Sequence, residues 1–159
     1  MIFSGFFAWK MMQNEKIGTE KDSPAPVVNQ NNREKEGLKK VKVGEKELWV
    51  EILETGIQKT KGLSGKEELA EDVGFLFVYE KPEAVNFWMK DMLFLIDIIW
   101  IANDKIVGIE EGVSPPLPGT LDKDLAIYRS PKPVNYVLET NAGWCKKNNI
   151  KIDDVFSFK

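Results

Sequence analysis

The sequence has 159 residues, of which 43% are hydrophobic and 30% are charged, and its formal net charge is −3. These values are typical of a single soluble globular domain. The small negative charge gives no reason to expect the basic surface that nucleic-acid binding usually needs. We therefore expect a monomer with no nucleic-acid partner.

The sequence contains no histidine and a single cysteine, Cys145. This composition excludes Ser-His-Asp and Cys-His nucleophiles, histidine-ligated zinc and a disulfide within the sequence. Any catalysis would depend on carboxylates, lysine, tyrosine, hydroxyl or backbone groups. We expect no cofactor and no metal, and a metal site, if one formed, would have oxygen ligands.

The first 16 residues form a short apolar segment, with Phe and Trp among residues 1–9 and with Lys10 and Lys16 following. Nine apolar residues cannot span a bilayer, which needs roughly 20. Three interpretations remain open: the end of a membrane helix that starts upstream, a short interfacial anchor, or an apolar terminus without a partner.

Residues 17–40 are mostly polar and contain little that a core could bury. Such a composition predicts a flexible linker. An apolar start, a polar linker and then a domain is the layout of a module that is tethered to a membrane outside the cytoplasm. We therefore expect an extracytoplasmic, membrane-associated protein, with a cytoplasmic protein as the alternative.

Residues 41–159 are predicted to form one domain that begins with a strand. In residues 47–54, Leu48, Val50 and Ile52 alternate with more polar positions, which is the period of a half-buried strand. Ser64 and Glu67 have the spacing of a capping box and predict a short helix that ends at Ala70.

The rest of the domain reads as further strands with one more short helix. Aromatic and β-branched residues predict strands at 73–80, 85–90, 94–101, 105–111, 134–139 and 155–158. A turn is predicted at 81–83, a hairpin at 102–104, a proline-rich loop at 112–125, and a helix at 142–148. We predict a mainly β (α+β) fold, a compact antiparallel barrel or sandwich of about seven short strands with two short helices.

Three blocks of this domain resemble the domain-of-unknown-function family 192, a widespread prokaryotic family. The blocks occur in the family's order and are Gly62-Leu63-Ser64-Gly65-Lys66 with Gly74-Phe75-Leu76-Phe77, Phe87-Trp88-Met89-Lys90-Asp91 with Asp97-Ile98-Ile99, and Tyr136-Val137-Leu138-Glu139 with Ala142-Gly143. The resemblance covers roughly residues 41–159. It implies a compact β-rich domain, often behind a signal peptide or lipid anchor, with no established activity and no catalytic residue to transfer.

The sequence departs from the family pattern at two charged positions. Lys66 stands where the family usually has arginine, and Asp91 stands where it usually has asparagine. Lysine offers a point charge where arginine offers a bidentate fork, so carboxylate recognition at Lys66 would be weaker.

Lys90 and Asp97 lie in the most apolar part of the sequence, where a charge is costly unless it is paired or exposed. We expect a buried or half-buried ion pair between them that fixes strand register. The functional alternative is a charged cluster beside Trp88, with Asp91, at the rim of a cleft that holds a sugar or an anion.

Other candidate groups surround the proline-rich loop. Tyr128 and Arg129 follow it and, with Lys90, could form an anion pocket. Four carboxylates flank the loop, and a solvated acidic surface is a better interpretation of them than a calcium site, since they lack the spacing of an EF-hand. They are Glu110, Glu111, Asp122 and Asp124. On the helix at 142–148, Trp144 and Cys145 are expected in the core.

Three functions fit these observations. The first is a non-enzymatic binding or accessory domain for a small ligand or an envelope protein. The second is a small hydrolase that uses carboxylates around Asp97 and the proline-rich loop. The third is a protein-interaction module that uses the same loop and Trp88.

Overall fold

The computed structural model describes residues 35–159, which form nine strands, two short α-helices and one turn of 3₁₀ helix (Asp122–Asp124). The apolar segment 1–16 and most of the predicted linker lie outside the described residues. The last two linker positions, 39 and 40, belong to the first strand. The elements are β1 (Lys39–Val43), β2 (Lys46–Leu53), α1 (Gly56–Lys61), β3 (Val73–Glu83), β4 (Asn86–Phe87), β5 (Ile96–Ala102), β6 (Lys105–Val113), β7 (Tyr128–Arg129), β8 (Val134–Asn141), α2 (Trp144–Lys147) and β9 (Phe156–Phe158).

Seven strands form one sheet in the order β6-β5-β8-β3-β2-β1-β9, and β4 pairs with β7 in a separate ribbon. The sheet curls until its two edges meet at one end. There Lys105 bridges to Val155, and the backbone N–H of Phe156 donates to the carbonyl of Asp104 at 2.9 Å. Joining the edges removes backbone groups that would otherwise be free to pair with another chain. The mainly β fold with two short helices is confirmed, although β2 and β3 are parallel while the other pairs are antiparallel.

Both faces of the sheet are buried. The inner core takes side chains from all seven strands of the large sheet and from α2 (Val41, Val43, Leu48, Val50, Leu76, Ile99, Ile101, Ile106, Leu138, Trp144, Cys145, Ile150, Phe156). The outer core lies on the opposite face beneath the connecting segments (Leu53, Leu63, Phe75, Phe77, Met89, Met92, Ile96, Ile98, Trp100, Ala102, Val113, Val134, Val137). Central strand β5 is therefore buried at every position, which explains its continuous apolar sequence.

Three local predictions were wrong: the helix after Ser64, the turn at 81–83 and the strand at 85–90. No helix follows Ser64, because its hydroxyl donates to the carbonyl of Lys90 at 3.0 Å. The helix lies earlier, where Thr55 and Gln58 form a capping box at the start of α1. The turn predicted at 81–83 is part of β3, which tolerates Pro82 at a register shift.

The predicted strand at 85–90 contracts to the two residues of β4, and the chain then turns through Asp91 at φ 56°. The hairpin at 102–104, the short helix near 144 and the closing strand are confirmed. Trp144 and Cys145 are buried in the inner core, as expected, and burial raises the pKa of the Cys145 thiol. Among residues 35–159, the helices are too short and polar to cross a membrane.

Candidate functional site

A pocket of about 230 Å³ opens on the outer face of the sheet, between α1, β3 and the segment that follows β4. Its walls are aromatic and aliphatic, its rim carries two lysines, and one carboxyl group reaches it from β8. The lining residues are Lys59, Thr60, Lys61, Gly62, Leu63, Ser64, Phe77, Tyr79, Asn86, Phe87, Trp88, Met92 and Glu139.

The carboxyl group belongs to Glu139, which is only 5% exposed. Glu139 pairs with Phe75 on β3 and Ile98 on β5, and both of these side chains belong to the outer core. Its Oε2 atom is buried, and no group among residues 35–159 hydrogen-bonds to it. Burial raises the pKa of Glu139 to about 8, so the carboxyl is mostly neutral at pH 7.

Tyr79 on β3 also lines the pocket and is half-buried. Its pKa is raised to about 12, first by burial and then by the charges of Glu83 and Glu139. The ammonium group of Lys59 lies 4.2 Å from the centre of the Tyr79 ring, which is a cation–π distance.

Aromatic rings form the opposite side of the pocket. Phe87 packs edge-to-face against Phe77 with ring centres 4.8 Å apart, and against Trp100 at 5.5 Å. These contacts fix β4 and the residue that follows it, Trp88, which is 53% exposed at the pocket. The site therefore presents a partly solvated indole to anything that enters.

One close approach and two hydrogen bonds join the walls of the pocket. Gly62 ends α1 at φ 45°, and a Cβ atom there would lie 3.2 Å from the ring of Phe77. The N–H of Gly65 donates to the carbonyl of Asp91 at 2.9 Å, beside the bond from Ser64 to Lys90. The Gly-Leu-Ser-Gly turn thus holds the Trp88 segment in place.

Asp97 is buried on the inner side of β5, and the predicted ion pair with Lys90 does not form. Strand alternation explains this result, because Ile96 and Ile98 face the outer core and Asp97 must point to the other side. Its Oδ1 accepts from the N–H groups of Gly112 at 2.9 Å and Gly143 at 3.1 Å, and Oδ2 accepts from Cys145 at 3.0 Å. Asp97 thereby holds the backbone of β6 at its register shift with β5, and it also holds the start of α2 against β5.

Lys90 makes its ion pair with Asp122 on the proline-rich loop. The hydrogen bond from its ammonium to Asp122 raises the pKa of Lys90. Both side chains are substantially exposed, so the pair links two surface loops and is not a buried register pin.

Lys90→Ala is expected to shift the thermal midpoint by no more than about 2 °C, since exposed ion pairs contribute little. Differential scanning calorimetry of the variant beside the wild type measures this. A loss as large as that of an inner-core substitution would show that Lys90 stabilises the fold by another route.

The other predicted site residues are spread around the pocket. Lys66 lies over the ring of Phe75 with its ammonium 5.1 Å from the ring centre. Asp91 is exposed in its turn, and its backbone carbonyl accepts from Gly65. Tyr128 and Arg129 form β7, which pairs with β4 next to Trp88, and Tyr128 packs on the outer core.

Two of the four carboxylates that flank the proline-rich loop form ion pairs at the surface. Asp122 pairs with Lys90 and Asp124 with Lys123. Across residues 35–159, no three acidic or cysteine side chains lie close enough to hold a metal ion. The lining of the pocket includes neither Asp97 nor the loop at 114–125, so the site lies away from the carboxylates that the hydrolase hypothesis requires.

Glu139 was not among the residues that sequence reasoning selected. A usable signal existed, because a lone glutamate follows Val137 and Leu138 in a strand that is apolar on both faces. Glu139 also lies in the third block that resembles the family. A charge at such a position is either paired or functional.

The fold and the pocket define a small β-domain with a candidate ligand site on the outer face of its sheet. Residues 39–158 match the family DUF192, described as Uncharacterized ACR, and the chain belongs to this family. Comparison with curated proteins finds no match.

Two solved structures resemble the chain closely in fold. A Sinorhizobium meliloti 1021 protein described as a candidate transcription regulator is 30% identical, with a TM-score of 0.68, covering 76% of this chain and 93% of its own. A Novosphingobium aromaticivorans protein of unknown function is 25% identical, with a TM-score of 0.67, covering 76% and 84%.

Proposed function

We propose that this chain is a binding domain for a small polar organic ligand, which enters beside Trp88 and hydrogen-bonds to Glu139. The observation that carries the proposal is that Glu139, whose buried Oε2 atom has no partner among the described residues, lines the pocket. Leaving a buried polar atom without a partner costs about 1–3 kcal/mol. A ligand that supplies the missing hydrogen bond removes this penalty, so the gain in free energy favours the bound state.

Trp88 gives the ligand a second contact. An indole can stack on a flat ring or on the apolar face of a sugar while its edge stays in water. At 53% exposure, Trp88 leaves much of its ring available for such a contact. The adjoining Asn86 adds an amide that can donate or accept at the pocket.

Binding is favoured over hydrolysis by the number of carboxyl groups at the site. Glycoside hydrolysis normally uses a pair of carboxyl groups on opposite sides of the scissile bond. Among the described residues that line the pocket, Glu139 is the only acidic one. A single neutral carboxyl can orient a ligand but supplies only half of that machinery.

The binding test is a two-dimensional ¹⁵N NMR screen of the full chain against envelope sugars, small anions and amino acids. We expect a ligand to move the Trp88 indole resonance in the wild type, and the affinity to fall at least about tenfold in Trp88→Ala. Phe158→Ala is the matched control, because Phe158 is similarly exposed, at 50%, on β9 away from the pocket.

A ligand that binds Trp88→Ala and the wild type equally well would place the binding site elsewhere. A screen in which no compound moves pocket resonances would contradict the proposal. Because Trp88 is a surface side chain, we expect the variant to fold, and its amide spectrum confirms this before titration.

We further propose that residues 1–16 tether the domain to a membrane outside the cytoplasm. The support is the apolar start and the polar linker in the sequence. Fractionation of the full chain from its native cells tests this. Recovery in the detergent-soluble membrane fraction, lost on deleting residues 1–16, is the expected result, and recovery with the cytosol contradicts it.

The exposed leucines near the proline-rich loop favour one alternative, a protein-interaction surface. Leu117 is 80% exposed, Leu93 is 60% exposed and Leu121 is 59% exposed. The ion pair between Lys90 and Asp122 links the two segments that carry these leucines. Loss of partner capture in Leu117→Ser, with pocket binding intact, would support this second function.

A further inference from the structure

We infer that the ligand of this pocket is a small zwitterion, with its ammonium group at Glu139 and its anionic group at the lysine rim. The inference rests on the proposed function and names the chemical class of the ligand. It follows from the separation of charge within the pocket: an acidic group at the floor and basic groups at the mouth.

The floor of the pocket suits an ammonium group. Glu139 lines the pocket and its buried Oε2 atom has no partner among the described residues, and the charge of Glu83 acts on the neighbouring Tyr79. The surrounding rings of Phe77, Phe87 and Trp88 present aromatic surface. Carboxylate and aromatic faces together are the usual surroundings of a bound organic cation.

The chain's own lysines show that aromatic rings on this face attract ammonium groups. Lys59 lies over Tyr79 at 4.2 Å and Lys66 over Phe75 at 5.1 Å. Phe75 is the cross-strand neighbour of Glu139. A ligand ammonium that enters deeper than Lys59 would find the same kind of contact together with the free oxygen of Glu139.

The rim of the pocket suits an anion. Lys59 and Lys61 are in the last turn of α1, and both line the pocket. A simple organic cation would be repelled by these two charges on entry. A simple anion would repel the carboxylate form of Glu139 and leave the carboxyl neutral. A zwitterion satisfies both ends at once, as required for electrostatic complementarity.

Ammonium binding should be linked to a proton. The charged or titratable groups that line the pocket with Glu139 are Tyr79, Lys59 and Lys61. Glu83 acts on Tyr79, and Lys66 lies over Phe75, the cross-strand neighbour of Glu139. With a pKa of about 8, Glu139 is mostly protonated at pH 7, and an arriving ammonium favours its carboxylate form. The proton leaves to the buffer, so affinity should rise between pH 6 and pH 8.

The experiment is a titration of the full chain with ω-amino acids of one to five methylenes and with the protein L-amino acids. Each zwitterion is compared with its methyl ester, which lacks the anion, and with its N-acetyl derivative, which lacks the cation. Isothermal titration calorimetry in two buffers of different ionisation enthalpy counts the protons released, and the Trp88 indole resonance reports the location.

We expect at least one zwitterion to bind at least about tenfold more tightly than its ester and its N-acetyl derivative. In Glu139→Gln, the zwitterion should bind no more tightly than its N-acetyl derivative, and binding should release no proton. In Lys61→Ala, the zwitterion should bind no more tightly than its methyl ester. The ester should bind this variant as tightly as the wild type or more tightly. Glu139→Gln keeps the side-chain volume and removes a buried ionisable group, so it should fold.

Equal binding of a zwitterion and its N-acetyl derivative, or unchanged binding in Glu139→Gln, would overturn the inference. A neutral sugar that binds at Trp88 while no zwitterion does would overturn it and leave the proposed function standing. If no sugar, anion or zwitterion moved a pocket resonance, both would fall.

Discussion

Replacing Asp97 with alanine is expected to lower the free energy of unfolding by at least about 3 kcal/mol. The carboxylate is completely buried and accepts hydrogen bonds from the backbone of Gly112, Gly143 and Cys145. Alanine leaves three donors without this acceptor, and each unsatisfied buried donor costs about 1–3 kcal/mol. Against a typical domain stability of about 5–15 kcal/mol, this is a large loss.

Asp97→Asn should cost about half as much, because one amide oxygen can keep the bonds to Gly112 and Gly143 while the amide nitrogen faces the N–H of Cys145. Urea unfolding followed by circular dichroism measures both variants. Asp124→Ala is the control, an exposed carboxylate that pairs with Lys123 and should change stability by less than about 0.5 kcal/mol. If Asp97→Ala lost no more than this control, the carboxylate would not be what fastens α2 to β5.

Glu139→Gln is expected to change how stability depends on pH. The pKa of Glu139 is about 8 in the folded chain against 4.5 when exposed, so the folded state holds its proton more tightly. The stability from that proton is fully present below about pH 4.5 and is lost as the pH rises through about 8. The loss reaches up to about 5 kcal/mol, at 1.36 kcal/mol for each unit of pKa difference.

Glutamine carries no charge at any pH, so its variant lacks this loss. Wild type and variant should therefore have similar stabilities near pH 4.5, and the variant should be the more stable of the two at pH 9. Urea unfolding of both chains at several pH values isolates Glu139, because the other titrating groups are common to both. Parallel curves from pH 5 to pH 9 would mean that Glu139 has an ordinary pKa and a partner.

Alternation of apolar side chains in β2, and runs of aromatic and β-branched residues elsewhere, predicted most of the fold. Strands β2, β3, β5, β6, β8 and β9 follow patterns that can be counted in the sequence, and the Asn103-Asp104 turn marks the hairpin between β5 and β6. The helix was misplaced because two capping boxes compete within ten residues. Thr55 wins since Gln58 completes its box, whereas Ser64 bonds to Lys90, 26 residues away.

The site was predicted less well, because it depends on which face each charge occupies. Trp88, which the sequence singled out as a candidate binding residue, lines the pocket. Lys90 and Asp97 are near in sequence, but Asp97 points to the inner face of β5, whereas Lys90 precedes the turn at Asp91 and pairs with Asp122. Glu139 enters the pocket only because β8 lies between β3 and β5, an arrangement that no local pattern specifies.

The pKa of Glu139 itself decides whether the pocket holds an unsatisfied carboxyl group. Selective ¹³C labelling of glutamate carboxyl groups, assigned with Glu139→Gln, lets NMR follow its titration in the full chain. We predict a midpoint near 8 that falls when a zwitterion binds, because a burial penalty would then be replaced by an ionic partner. A midpoint near 4.5 in the free protein would mean that the carboxyl is already solvated or paired, and the pocket would then have no unsatisfied group for a ligand to meet.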